Sequence, residues 1–250
     1  MLAMKCLFML LFLLTAGLGL QAQRSPEWMF ALRDAVYEQV LMADEIRPLY
    51  LETRATAEKY SDGANRYLAL SRAEYLMGLA LFLEGRDREA RTHLHEGLRL
   101  AEIAVETTPS AEAWGLRAEN LALLLEVNPW TFTLANGPNV ERFARNALEL
   151  DGRNATARHI MAARWIFAPR LFANINRGRE MMKAILDEAD MERDDLFNVT
   201  LAIGRSYVLQ RRYDEARYWV LRSLQVYPTN RLAAEVLKTV DAGRGRRRSR

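Results

Sequence analysis

Small residues recur at fixed intervals in a helical stretch near the C-terminus, and this spacing restricts the fold more than any other feature. The segment "LAIGRSYVLQRRYDEARYWVLRSLQVYP" spans residues 201 to 228 and places Gly204, Ala216 and Ser223 among aromatic residues before Pro228. Two helices approach closely only where their side chains are small. If this spacing defines a structural unit, the same unit should recur elsewhere in the chain.

The same spacing occurs upstream. Gly204 and Ala216 stand at positions 8 and 20 of one unit, and Gly78 and Ala90 stand at the same positions of a unit that begins at Ser71. A period of this length is typical of repeat proteins, in which each unit buries its apolar face on its neighbours. We therefore expect stacked helix pairs rather than one closed core.

Two weaker copies lie between these units. The first has Ala118 and Ala147 at its small positions, and the second has Ala162. Both contain insertions, around "NPWTFTLANGP" and "APRLFANINR". Because both insertions fall between the helices of a pair, and consecutive pairs stack in the same orientation, we expect two loops on one edge of the stack.

These small positions resemble those of the tetratricopeptide repeat (TPR) family over residues 71 to 230. The resemblance implies that two antiparallel helices touch at the small positions of each repeat and that a proline ends the second helix. The resemblance implies an all-α protein, a right-handed α-solenoid of helix-turn-helix repeats that acts as a non-enzymatic scaffold for protein–protein interaction. A 3.6-residue apolar period along most of the chain, without strand-like alternation, agrees with this expectation. The predicted order is N-terminal helices over 23–70, four repeats over 71–230 with insertions in the middle two, a capping helix over 231–241 and a disordered basic tail over 242–250.

The N-terminal helices are predicted from caps and apolar spacing. Ser25 and Pro26 are typical of a helix start. One apolar face follows, formed by Met29, Leu32, Val36, Val40 and Leu41. Pro48 interrupts this pattern, so we expect a helix boundary there.

Residues 1–22 are predicted to form a signal peptide. Lys5 precedes the apolar run "CLFMLLFLLTAGLGL", and the small-residue pattern that follows favours cleavage after Ala22. Cys6 is the only cysteine, so the mature chain would have no disulfide. Export without disulfides suggests the bacterial periplasm or cell envelope.

The positive charge is concentrated at the C-terminus. Of the total of +3, Lys5 supplies one charge and residues 241–250, with five Arg and one Asp, supply four, which leaves −2 for residues 23–240. The folded part therefore offers no electrostatic basis for nucleic-acid binding. The tail is expected to be solvated, with weak contact to anionic membrane as the alternative.

In the TPR family, fixed positions of each repeat line a concave groove. Carried onto this sequence, they include Tyr75, Phe82, His159 and Arg205. The lysine and asparagine pattern that binds a peptide carboxylate in some relatives is absent. The resemblance therefore implies an apolar groove for a protein or peptide partner or a small apolar ligand, unless the protein's own N-terminal helices or loops fill it.

The two insertions supply a second candidate surface. Their apolar side chains are Trp130, Phe132, Leu134, Leu171 and Phe172. Large apolar side chains of this kind dominate recognition sites. They could form one joint binding surface, or they could fold back onto the helices.

No arrangement of residues points to catalysis, a metal or a cofactor. His93 and His95 are two residues apart on a predicted helix and so point to different faces, which rules out a shared metal of the i, i+4 kind. The acidic cluster "ERDD" at 192 to 195 is expected to cap a helix start. The chain is therefore predicted not to be an enzyme.

A shorter stretch, "APRLFANINRGREMM", resembles the T-component family associated with TRAP transporters. That family has Gly-Gly where this chain has Ala173 and Asn174, and it carries a lipid-anchoring cysteine that this chain lacks. The resemblance implies an alternative function, a ligand-binding accessory subunit of a periplasmic solute transport system.

Overall fold

The structure, a computed structural model, describes residues 25–59, 63–168, 171–189 and 191–248, with side chains to residue 245. The predicted signal peptide lies outside these residues. In the described residues there are eleven α-helices, a short 3₁₀ turn at Glu27–Met29 and no strand. The helices are α1 (Phe30–Glu38), α2 (Ala43–Glu58), α3 (Gly63–Leu83), α4 (Asp87–Thr107), α5 (Ala111–Glu126), α6 (Trp130–Leu150), α7 (Ala155–Phe167), α8 (Ile175–Glu188), α9 (Arg193–Leu209), α10 (Tyr213–Val226) and α11 (Arg231–Arg248).

Helices α3 to α10 form four consecutive antiparallel pairs, as the repeat spacing predicted. The predicted small positions are where the helices touch. A Cβ atom added to Gly78 would lie 2.8 Å from Leu94 Cγ, and one added to Gly204 would lie 2.7 Å from Val220 Cγ2. Ala90 and Ala216 are fully buried beside these glycines. The described part of the chain is therefore an all-α stack of helix hairpins.

The first and last pairs also share one turn geometry. Arg86 N donates to Leu81 O at 2.9 Å in the first pair, and Arg212 N donates to Tyr207 O at 2.9 Å in the last. The residue before each donor is left-handed, Gly85 with φ of 76° and Arg211 with φ of 56°. Glycine adopts this conformation without strain, whereas arginine does not.

Helix α1 joins the two ends of the repeat stack. Its C-terminal carbonyls accept hydrogen bonds from the loop before α11. Asn230 Nδ2 donates to Tyr37 O at 2.6 Å, and Thr229 Oγ1 donates to Glu38 O at 2.8 Å. The first pair also contacts α1, because Tyr37 and Leu76 of α3 belong to the same apolar core. The stack is therefore closed by the N-terminal helix rather than left open.

The predicted helix boundary at Pro48 is wrong. Helix α1 ends earlier, where Gln39 is left-handed with φ of 55°, and Pro48 lies inside α2. Val40 and Leu41, predicted to continue the buried face, are exposed. The end of α1 is fixed by hydrogen bonds from residues 229–231, which local sequence does not reveal.

Two other boundaries differ from the prediction. The first insertion forms a helix instead of a loop, because α6 begins at Trp130 and contains Pro138. The closing helix α11 runs to Arg248, past the predicted boundary at residue 241 and into the segment expected to be disordered. Gly243 is packed against the Tyr213 ring, and Arg244 Nε donates to Asp214 Oδ1 at 2.7 Å. These contacts with α10 stabilise the extension of α11.

Candidate functional site

An open cavity of about 580 Å³ lies between the inner helices of the repeats. It is lined mainly by α5, α6 and α7, and Tyr75 of α3 and Asp195 of α9 also line it. Its apolar wall consists of Ala122, Leu123, Leu125, Val140, Ile160, Met161, Ala163 and Phe167. This size and lining are those of a binding cavity for a small ligand or a short stretch of peptide.

A second cavity of about 150 Å³ continues from the first, toward α1. Tyr75, His159 and Phe167 line both cavities. Tyr37 of α1 and Arg205 of α9 line the second cavity only. We call the two cavities together the groove.

Three of the four groove residues predicted from the sequence line this groove, namely Tyr75, His159 and Arg205. Phe82 does not, since it packs half-buried against the main apolar core. The expectation that N-terminal helices fill the groove holds for one end only. There Tyr37 accepts a hydrogen bond from Asn198 Nδ2 at 2.8 Å, and both residues line the second cavity.

The apolar residues of the insertions divide into two groups. Phe132 packs against the main core, whereas Trp130 and Leu134 are 71% and 67% exposed. Leu171 and Phe172, in the turn between α7 and α8, are also exposed.

Helical spacing relates the exposed pair on α6 to the groove. Trp130, Leu134, Gly137 and Glu141 follow one another at intervals of four, three and four residues, and the last two line the groove. Such residues share one helix face. Trp130 and Leu134 therefore extend the groove-facing side of α6 beyond the groove.

A buried ionic network lies beside the groove. Arg72, 7% exposed, donates to Glu119 Oε2 at 2.7 Å and to Asp194, which is 1% exposed. These contacts join α3, α5 and α9. Burial of unpaired charge is costly, so each partner depends on the others.

The chain reaches this network from its N-terminal side as well. Arg33 of α1 donates to Glu192 Oε2 at 3.1 Å, and Ser25 N donates to Glu192 Oε1 at 2.6 Å. Glu192 and Asp195 form the predicted cap of α9, since Glu192 N donates to Asp195 Oδ2 at 3.0 Å. The acidic cluster therefore has the capping role predicted for it, and it also anchors α1.

Burial changes the titration of groups in and around the groove. Desolvation lowers the pKa of His159 to about 4, so the ring is neutral at pH 7. Desolvation also raises the pKa of Glu119, with the opposing effect of Arg72 second. It raises the pKa of Asp195 well above its usual range, and the adjacent Asp194 carboxylate adds to that rise.

Arg205 stacks on an aromatic ring near the C-terminal end of α7. Its Cζ lies 4.7 Å from the centroid of the Phe167 ring. Arg164 lies on the same helix as Phe167 and forms an ion pair with Glu141 of α6. Both basic side chains thus lie toward the C-terminal end of α7, away from Asp195.

The acidic groups Glu119 and Asp195 were not predicted as site residues. Asp195 has the sequence context of a helix cap, which conceals its place at the groove. Glu119 lies in one of the two weaker repeats, where the small positions alone define the register. Their position facing the groove depends on how the repeats stack.

Within the described chain, no three histidine, cysteine, aspartate or glutamate side chains are arranged to hold a metal ion. His93 instead pairs with Glu74, with its Nδ1 atom 2.7 Å from Oε2. No described helix is long and apolar enough to cross a membrane.

No family model matches the chain, and no curated protein matches it. A search of solved structures finds a similarity to YrrB, described as a TPR protein with an unusual peptide-binding site. The identity is 14%, the match covers 86% of this chain and 100% of that one, and the TM-score is 0.37. The helix pairs and their small contact positions, and not this similarity, define the fold.

Proposed function

We propose that the protein is a non-enzymatic interaction scaffold of the bacterial periplasm or cell envelope, and that it binds a peptide segment of a partner protein in the groove. The observation that carries the proposal is the cavity of about 580 Å³ between the inner helices, with its largely apolar wall. The apolar run ahead of Ala22 and the absence of cysteine after Cys6 support the location.

The exposed apolar residues beside the groove fit the same function. Trp130, Leu134, Leu171 and Phe172 expose large side chains, and α6 directs the first two along its groove-facing side. Exposed apolar side chains that cluster near a cavity are typical of interaction sites. We therefore assign them to the outer part of the same partner contact.

Two variants test this function in affinity purification from the native envelope. Ala163→Phe places a large ring in the groove, and the double variant Trp130→Ala, Phe172→Ala removes two exposed anchors. Both should lose a partner that the wild-type protein retains. The double variant should weaken binding by about 2 kcal/mol and change stability by no more than about 0.5 kcal/mol, since both side chains are exposed.

The alternative is a ligand-binding accessory subunit of a periplasmic solute transport system. The volume of the cavity favours it, because about 580 Å³ is also within the range of small-molecule sites. Native mass spectrometry of the purified protein distinguishes the two. A small molecule released by the wild type but absent from Ala163→Phe supports the alternative, whereas a retained protein partner supports the scaffold.

A further inference from the structure

The walls of the groove carry more acidic than basic side chains. Four carboxylates line it, Glu119, Glu126, Glu141 and Asp195, against the two guanidinium groups of Arg164 and Arg205. The remaining ionisable ring, His159, is neutral at pH 7. Glu141 is paired with both Arg164 and Arg145. The groove is therefore apolar, with more carboxyl groups than cations among its other lining residues.

The excess of carboxyl groups is greatest at the end of the groove near the start of α9. Among the described residues, no basic side chain forms an ion pair with Asp195. Glu119 has a cation in Arg72, but Arg72 is shared with Asp194. The Oδ1 atom of Asp194, almost completely buried, has no hydrogen-bond partner in the described chain. Arg33 Nη1 lies 3.9 Å from this atom and also pairs with Glu192. Two guanidinium groups, of Arg33 and Arg72, thus serve the three carboxylates of Glu119, Asp194 and Glu192.

Another carboxyl group, that of Glu112 on α5, interacts with this acidic end. Desolvation raises the pKa of Glu112 to about 7, and the nearby Glu192, Glu119 and Asp194 carboxylates add to the rise, which Arg72 opposes. Glu112 and Glu119 are seven residues apart and lie on one side of α5. A cation entering at this end would relieve repulsion among groups that the protein has already desolvated.

We propose that the groove selects a peptide segment that carries a basic group next to apolar side chains. This inference rests on the proposed function. The basic group lies between Asp195 and Glu119, and the apolar side chains contact Leu123, Val140 and Met161. Either a lysine or arginine side chain or a free N-terminal ammonium group supplies this cation. Charge complementarity excludes the carboxylate-bearing peptides that a basic groove would select.

The test is a selection of displayed, randomised ten-residue peptides on the purified full chain, followed by measurement of Kd for the synthetic winners. Each winner is made in three further forms, with lysine replaced by norleucine, with arginine replaced by norleucine, and with an acetylated N-terminus. We expect winners rich in apolar and basic residues. Removal of the responsible cation should weaken binding at least tenfold, and the three forms identify its source.

Asp195→Asn and a matched control variant test whether the basic group of the peptide binds at this end of the groove. Asparagine retains a side-chain oxygen to cap α9 but cannot ionise beside a bound cation. The tenfold difference in Kd between a winner and its cation-free form should therefore fall to about twofold. Glu106→Gln makes the same change of charge on the outer helix α4, where Glu106 is exposed, and should leave the tenfold difference in place. Thermal unfolding of both variants checks that they are folded.

The outcomes separate this inference from the proposed function. Winners that are apolar without basic residues, or acidic, would overturn the inference and leave peptide binding intact. Equal loss of basic preference in Asp195→Asn and Glu106→Gln would also overturn it. Failure to select any peptide would reject the peptide-binding function, and the inference with it.

Discussion

The rings of Tyr37 and Tyr227 stack, with centroids 5.3 Å apart and planes inclined by 19°. Tyr37 belongs to the first described helix and Tyr227 follows the last repeat, so the stack joins the two ends of the fold. Phe197 packs edge-on against both rings. The same region includes the hydrogen bond from Tyr227 Oη to Asp34 Oδ1 at 2.8 Å. This closure brings α1 against the inner surface of the repeats and limits the groove at that end.

Loss of the Tyr227 hydroxyl should measurably weaken this closure. Tyr227→Phe removes the hydrogen bond to Asp34 and keeps the stacked ring, so the free energy of unfolding should fall by about 1 to 2 kcal/mol. Tyr218→Phe is the control, since Tyr218 is exposed, and its effect should stay within about 0.5 kcal/mol. Urea unfolding of both variants measures the difference. Equal effects would mean that the bond to Asp34 does not stabilise the fold.

The close contact in the last repeat should not accommodate a large side chain. At Gly204 even a Cβ atom would lie 2.7 Å from Val220 Cγ2 and 3.2 Å from the Val220 backbone nitrogen. Gly204→Leu should therefore lower stability by about 3 kcal/mol or more. Gly245→Leu, where a Cβ would meet no atom within 4 Å, should have little effect. An unchanged thermal midpoint for Gly204→Leu would show that the repeat register is wrong.

Replacement of Arg72 should be among the most damaging single changes in the chain. Arg72→Met removes the cation that donates to the Glu119 and Asp194 carboxylates and leaves Asp194 only its longer contact with Arg33, at 3.9 Å. Loss of such a buried partner costs about 3 to 5 kcal/mol. Arg99→Met also removes an arginine from an ion pair, but the Arg99 side chain is 56% exposed, so we expect about 0.5 kcal/mol or less. Chemical denaturation at pH 7 compares them. Similar effects of the two substitutions would contradict the buried network.

The turn of the last repeat offers a stabilising substitution. Arg211 adopts the left-handed conformation that Gly85 adopts in the first repeat. Arg211→Gly should raise the free energy of unfolding by up to about 1 kcal/mol, because it relieves strain that glycine does not have. Gly85→Arg should produce a loss of similar size. A destabilised Arg211→Gly would indicate that the arginine side chain makes a compensating contact.

His159 should make stability depend on pH. Desolvation lowers its pKa in the folded state to about 4, below the value of 6.5 expected for the unfolded chain. Between these values the unfolded chain binds more protons, so stability falls as the pH is lowered from 6.5 to 4. His159→Leu should reduce this fall by about 1 to 2 kcal/mol, which is less than the full pKa shift implies because the ring is only half-buried. Urea unfolding of the wild type and the variant at pH 7 and pH 4.5 measures the loss of stability on acidification. An equal loss in both proteins would exclude His159 as its cause.

Much of the fold could be predicted from local sequence. The apolar period of 3.6 residues identifies the helices, and small residues such as Gly78 and Gly204 mark where the two helices of a pair meet. Both signals are local, since they arise within one hairpin. The resemblance to the TPR family, and not these signals, implied that Tyr75, His159 and Arg205 lie on the inner side of the repeats.

Tertiary structure decided the rest, because the relevant contacts join residues far apart in sequence. Asn230 and Tyr37 are 193 positions apart, and Arg72 and Asp194 are 122 positions apart. Such contacts end α1 ahead of Pro48 and bring Asp195 to the groove. No short-range pattern specifies them, since they depend on the summed rotation of four stacked pairs. The sequence by itself therefore determined the repeat and its helices, whereas the stacking of the repeats decided the closure by α1 and the acidic end of the groove.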